Sequence, residues 1–153
     1  MKEYGYFQNE GREFVVTTPN TPRHWYNYLF NDDYITFTSQ VGYGEGIVQG
    51  NLGRRVLLAD SRQVYIKDVE SQDFWTVNGI PVYREYEDFR CIHGIGYTEI
   101  KSRYRGIEGS FRLFVPQDAL EELWTVTVKN CTDKIRTIKI IPYVKTEVDG
   151  VYR

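Results

Sequence analysis

Apolar and polar side chains alternate most clearly in the second half of the chain. Ile100, Ser102 and Tyr104 fall on one side of an extended segment and Glu99, Lys101 and Arg103 on the other, the period-two pattern of a half-buried strand. Arg105-Gly106 predicts a tight turn. Beyond it Ile107, Phe111, Leu113 and Val115 line one side against Glu108, Ser110 and Arg112, so the two runs read as an antiparallel hairpin. A third strand is expected over residues 123–130, with Trp124, Val126 and Val128 on one face. The polar break Asn130-Cys131-Thr132-Asp133-Lys134 separates it from a fourth over 135–144, and this pair reads as a second hairpin.

In the first half, residues 14–18, 34–41, 54–58 and 64–67 are strand candidates divided by Gly, Pro and Asn-Asp turn signals. No stretch of about 12 residues carries a helical face. Helix is therefore confined to a turn or two, starting at Thr21-Pro22 through Trp25 and again over 117–121. The 13 Tyr, 8 Phe and 3 Trp reinforce the choice of sheet, because these residues favour strands and pair well across them. Many short antiparallel strands with regular turn signals predict an all-β sandwich or barrel-like stack, and 153 residues make one unit or part of one. No repeat or low-complexity linker divides residues 1–153. Asp149-Gly150 reads as a hairpin turn whose returning strand has barely begun at Val151-Tyr152-Arg153, so the expectation is an incomplete, truncated sandwich.

Charge narrows the functional classes. Nineteen basic and 21 acidic residues, a formal net charge of −2, are spread evenly and leave no basic face for nucleic acid and no polybasic membrane segment. The N-terminus has no apolar stretch behind its charge, and no apolar run approaches the roughly 18 residues that cross a bilayer. These features read as a soluble, cytoplasmic chain. Cys91 and Cys131 lack C-x-x-C spacing, which argues against a zinc knuckle or redox pair and for small apolar filler.

The segment from Gln40 to Gly50 holds four glycines with an aromatic, a carboxylate and an amide. Glycine permits a close backbone approach to a ligand. A Gly-rich bend or bulge between strands is the more ordinary account of it. It is not a dinucleotide turn, since no helix follows. A pyranose presents an apolar C–H face to an aromatic plane, which makes Tyr43, Trp25 and Tyr26 candidate stacking residues. Gln49, Glu45, Arg54 and Arg55 are candidate ligands for hydroxyl groups. The carboxylate pairs Asp32-Asp33 and Glu85-x-Glu87-Asp88 lie in turn and surface contexts and make no persuasive catalytic dyad. Cys91 and His93 share a strand face but lack further metal ligands, so His93 reads as a structural histidine and no metal is expected. The nucleophile elbow G-x-S-x-G is absent.

A string of ordered motifs resembles the amino-terminal part of the inverting glycoside phosphorylases that include cellobiose and chitobiose phosphorylases. It comprises Tyr4-Gly5-Tyr6-Phe7, the run Arg12 to Pro22, Trp25-Tyr26-Asn27-Tyr28-Leu29, His93-Gly94-Ile95-Gly96-Tyr97, Phe114-Val115-Pro116, the run Leu123 to Asn130, and Tyr143-Val144. The resemblance implies an all-β super-sandwich domain of galactose mutarotase-like type, followed in the whole enzyme by a helical linker, an (α/α)6 barrel and a small sheet. It implies a general acid in that barrel and inorganic phosphate as co-substrate, with no other cofactor. The present chain would then hold no catalytic residue and serve as scaffold. The implied partners are a β-linked oligosaccharide, the catalytic barrel and a second copy in a homo-oligomer, with the Gly-rich loop bordering the partner's acceptor site. Tyr43, Glu45, Gln49, Arg54 and Arg55 are the substrate-binding candidates. In the cellobiose enzymes this loop resembles G-G-Y-S-F-Y, whereas here it reads Gly42-Tyr43-Gly44-Glu45-Gly46-Ile47, so another β-glucoside or a β-1,2-linked glucan is as consistent. A free-standing carbohydrate-binding module is the alternative.

Overall fold

The computed structural model describes residues 4–49 and 53–147. The expected Asp149-Gly150 turn and its returning residues lie outside these, as does Gly50. Strands β1 (Gly5–Gln8), β2 (Glu13–Val16), β3 (Tyr26–Phe30), β4 (Tyr34–Ser39), β5 (Gly46–Val48) and β6 (Arg54–Asp68) occupy the first half. They are followed by β7 (Phe74–Thr76), β8 (Asp88–Gly94), β9 (Tyr97–Tyr104), β10 (Ile107–Phe114), β11 (Leu123–Asn130) and β12 (Ile138–Thr146). All pairings are antiparallel. One sheet runs β1-β2-β8-β9-β10-β11 and the other β12-β6-β5-β4-β3, with β7 also on β6. No helix among the described residues is long and apolar enough to cross a membrane.

The hairpin expected over 99–115 is β9–β10, with Ile100, Ser102, Ile107, Phe111 and Leu113 buried on its inner face. Its turn residues Arg105 (φ 51°) and Gly106 (φ 71°) both adopt positive φ, as a two-residue turn matched to strand twist requires. β11 spans the expected residues. The second hairpin does not form: β12 crosses to the other sheet and pairs with β6. The intervening polar segment closes on itself through the Thr132 amide and Asn130 Oδ1 (3.0 Å). Arg136 then donates to Asp68 at the end of β6 (2.5 Å), which carries the chain across. The candidates 54–58 and 64–67 are one strand, β6; the buried polar residues Ser61, Arg62 and Gln63 between them had broken the apolar period. Residues 21–25 and 117–121 form bends and turns rather than helix, and the 3-10 turn found at Asn9–Gly11 was not anticipated. Cys91 is fully buried, but Cys131 is exposed in the inter-sheet crossing and is not core filler.

Asn27 on β3 donates its amide to the carbonyls of Gly94 and Tyr97 in the β8–β9 turn, both at 2.9 Å. Asn31, at the other end of β3, donates to the carbonyls of Pro116 (2.7 Å) and Ala119 (2.8 Å), beyond β10. β3 therefore lies across the strand ends of the first sheet. At the opposite ends Trp75 of β7 meets Tyr104 edge-on at 5.1 Å. Contacts at both ends of the strands thus close the two sheets around one core. That core brings Leu29, Tyr34, Val64, Ile66, Trp75 and Val77 against Val16, Phe89, Cys91, Ile100, Ile107, Phe111 and Leu113. Gly109 sits at a close approach of the two sheets, since a methyl group there would press on Val77 and Ile66. Phe111 is fully buried at this centre. Phe111→Ala is expected to cost about 3–5 kcal/mol, read as a lowered urea midpoint with an unchanged slope.

Candidate functional site

The glycine-rich run is a tight turn followed by the bulged strand β5. The Ser39 hydroxyl oxygen accepts the amide of Tyr43 (3.2 Å), and the Ser39 amide donates to the Tyr43 carbonyl (2.8 Å). Gly42 (φ 77°) and Gly44 (φ 154°) adopt backbone conformations that L side chains rarely take, and a side chain on Gly44 would overlap the Phe37 carbonyl. The register of β5 against β6 shifts between Gly46 and Ile47. The glycines are thus demanded by the turn and bulge themselves.

Beneath the turn lies a buried ion pair. Arg62 and Glu122 side chains are 0% and 5% exposed, with Arg62 Nε to Glu122 Oε1 at 2.5 Å and Nη2 to Oε2 at 2.7 Å. Arg62 also donates to the Gly44 carbonyl (2.6 Å) and to Thr36 Oγ1. Glu122 accepts from Tyr34 Oη (2.9 Å) and Trp124 Nε1 (2.7 Å). Burial alone would raise the Glu122 carboxyl; the bonds and charge of Arg62 outweigh it and hold the carboxyl below the ordinary range. Asn78 completes the support by donating to the Val41 carbonyl (2.7 Å) and Gln63 Oε1 (2.9 Å).

On the outer face the turn presents Tyr43, stacked on His24 at 4.7 Å with the rings 10° from parallel. His24 adjoins Tyr26 (5.9 Å), Tyr26 meets Phe37 edge-on (5.3 Å), and Phe37 adjoins Tyr28 (5.9 Å). Tyr26 and Tyr28 are exposed. Burial, with Tyr43, Tyr28 and Glu45 nearby, raises the Tyr26 phenol. Glu45 Oε1 binds Arg55 Nη1 at 3.1 Å, and Arg55 Nε binds Glu147 at 2.5 Å. Three of the five sequence candidates, Tyr43, Glu45 and Arg55, therefore gather on this face. Arg54 stands opposite Val48 and Arg55 opposite Ile47, so the two arginines leave β6 on opposite faces. Gln49 lies at the end of β5, its amide donating to the Asn31 carbonyl (3.3 Å). Trp25, a stacking candidate, instead turns inward against Phe14 and the core. His24, Tyr28 and Phe37 were missed. The i, i+2 spacing of residues 24, 26 and 28 was the available signal, hidden because polar neighbours are what usually mark an outer face.

His93 is engaged on both ring nitrogens, Nε2 with the Trp25 carbonyl and Nδ1 with Thr98 Oγ1, each at 3.0 Å. A carbonyl only accepts, so Nε2 carries the proton and Nδ1 accepts from the hydroxyl. Burial lowers the imidazole to about 4, against the opposing Trp25 carbonyl. Among the described residues no group of three or more His, Cys, Asp and Glu side chains is placed to hold a metal.

Two packed antiparallel sheets with no α-helix among the described residues place the chain in the class of all-β sandwich domains. Residues 12–149 match the family "Glycosyl hydrolase 94, supersandwich domain", and the chain belongs to that family. It is 42% identical over 148 residues to 3-O-beta-D-glucopyranosyl-beta-D-glucuronide phosphorylase of Paenibacillus borealis, covering 97% of this chain and 19% of that protein. It is 34% identical to solabiose phosphorylase of the same organism, over 100% of this chain and 21% of the relative. Identity to N,N'-diacetylchitobiose phosphorylase of Vibrio proteolyticus is 31%, over 94% of this chain and 19% of the relative. The chain thus spans about a fifth of the length of these curated relatives.

Two outcomes follow from the buried groups. Arg62→Met leaves the Glu122 carboxylate buried without its cation and is expected to cost about 3–5 kcal/mol in chemical denaturation. For His93, the unfolded chain takes up a proton near pH 6.5 and the folded one only near 4. Between these values the unfolded state binds more protons, so stability rises with pH across this window, by about 3 kcal/mol at most. His93→Asn should flatten that part of the stability profile, measured as denaturation midpoint against pH.

Proposed function

We propose that this chain is the amino-terminal, non-catalytic domain of a cytoplasmic phosphorylase that cleaves a β-linked glucoside with inorganic phosphate to give a sugar 1-phosphate. The observation that carries this reading is the joining of family membership to one outer face where Tyr43, Glu45 and Arg55 converge beside His24 and Tyr26. In this reading the domain acts as scaffold for the catalytic barrel and makes homodimer contacts. Its glycine turn offers an aromatic plane and charged hydrogen-bonding groups to the acceptor sugar. Chemistry resides in the barrel, and the isolated chain is expected to show no phosphorolysis.

The test is kinetic and uses the whole enzyme in the synthetic direction, with glucose, glucuronate and N-acetylglucosamine as acceptors. Tyr43→Ala is expected to raise the acceptor KM about tenfold, the size of a lost aromatic contact of ~1–1.5 kcal/mol, while the phosphate KM in the cleavage direction stays unchanged. An unaltered acceptor KM overturns the assignment. The exposed aromatic strip favours a second reading, a free-standing carbohydrate-binding module, which requires the isolated chain to bind oligosaccharide in calorimetric titration.

A further inference from the structure

We propose that His24 is a positioning residue for the Tyr43 plane, locked in one tautomer by the hydroxyl of Ser39. Ser39, at the end of β4, is fully buried and sealed from water. Its hydroxyl oxygen accepts the Tyr43 amide at 3.2 Å and the Val41 amide at 3.3 Å, which takes up both of its lone pairs. The hydroxyl proton still needs an acceptor. Among the described residues the remaining polar partner of this oxygen is His24 Nδ1, at 3.2 Å, so the hydroxyl donates and Nδ1 accepts. The neutral imidazole then carries its proton on Nε2. An Nδ1–H ring would bring a third donor to one oxygen and leave the Ser39 proton without a partner, a cost that buried polar groups rarely bear.

One oxygen thereby ties the turn backbone to the ring that stacks on its side chain. Tyr43 is fastened to Ser39 through its own amide and carbonyl, and its ring lies against the imidazole that the same serine orients. His24 is exposed, and an exposed side chain is ordinarily free to change rotamer. The Ser39 bond selects one ring orientation, nearly parallel to Tyr43 and 5.9 Å from Tyr26. The device is built from two adjoining segments and needs no other element to close it. Its kinetic consequence rests on the acceptor-side reading of this face, whereas the hydrogen bonding stands without that reading.

The experiment compares wild type with His24→Phe, which keeps an aromatic ring but offers Ser39 no acceptor. Nitrogen-15 NMR of the 153-residue chain at alkaline pH is expected to show His24 with Nε2 protonated and Nδ1 bare, its signals being those missing from the variant. Hydrogen exchange at the Tyr43 amide should quicken about fivefold in His24→Phe, the worth of one net hydrogen bond. In the whole enzyme the same variant is expected to raise the acceptor KM about fivefold, with kcat and the phosphate KM unchanged. In a Ser39→Ala background His24→Phe should add nothing, because the bond it removes is already gone. Circular dichroism and the denaturation midpoint show that each variant folds, and an exposed site such as His24 tolerates exchange. A protonated Nδ1, a Tyr43 amide whose exchange is unchanged, or effects that multiply in the double variant each overturns the proposal. An acceptor KM that rises for Tyr43→Ala but not for His24→Phe also overturns it. A KM indifferent to both removes the acceptor-side reading, while faster exchange at Tyr43 still upholds the positioning role.

Discussion

A guanidinium removed from water must be met by fixed acceptors on all sides, and in this fold that requirement organises both sheets. Arg62 lies in the middle of the long strand β6, while Glu122 arrives from the segment leading into β11 of the other sheet. Neither charge tolerates burial without the other. Their pairing fixes where the two sheets meet at this side of the sandwich. It also recruits Tyr34, Thr36 and Trp124 into one satisfied network. The remaining bond of Arg62, to the Gly44 carbonyl, carries this rigidity to the surface turn.

The candidate site inherits its shape from that arrangement. Tyr43 is held by a backbone whose amide and carbonyl are both committed to Ser39, and by the Asn78 amide behind Val41. Ligand-facing groups on loops work when a rigid scaffold presents them. Here the scaffold is a bulge locked against a buried ion pair, so the aromatic plane and the Glu45–Arg55 pair keep a fixed spacing.

Much of the fold was legible where one face of a strand was wet and the other dry. β9, β10 and β11 alternate cleanly for that reason. The pattern failed where burial is two-sided or polar. β6 reads as two strands because Ser61, Arg62 and Gln63 are all buried. β5 and β7, at three residues each, are too short to show any period. The partner of β12 was misassigned because sequence proximity favours hairpins. What sent it elsewhere is a pair of side chains, Arg136 and Asp68, that no local pattern connects. At the site, glycine spacing marked the turn correctly. Tyr26 was read as a stacking candidate, but Tyr28 on β3 and Phe37 on β4 went unread, because an apolar residue in a strand is taken as core unless a structure shows otherwise.

Asn31 lets one amide serve two distant tasks. Its oxygen accepts the amides of Asp33 and Tyr34 to shape the tight β3–β4 turn, while its nitrogen reaches carbonyls 85 and 88 positions further along the chain. The β3–β4 hairpin can close locally, but the Asn31 amide nitrogen finds these acceptors only when the β10–β11 connection arrives. Such contacts of large sequence separation belong to the regime in which chains fold slowly. The β3–β4 turn is thereby anchored to the far sheet through a single side chain.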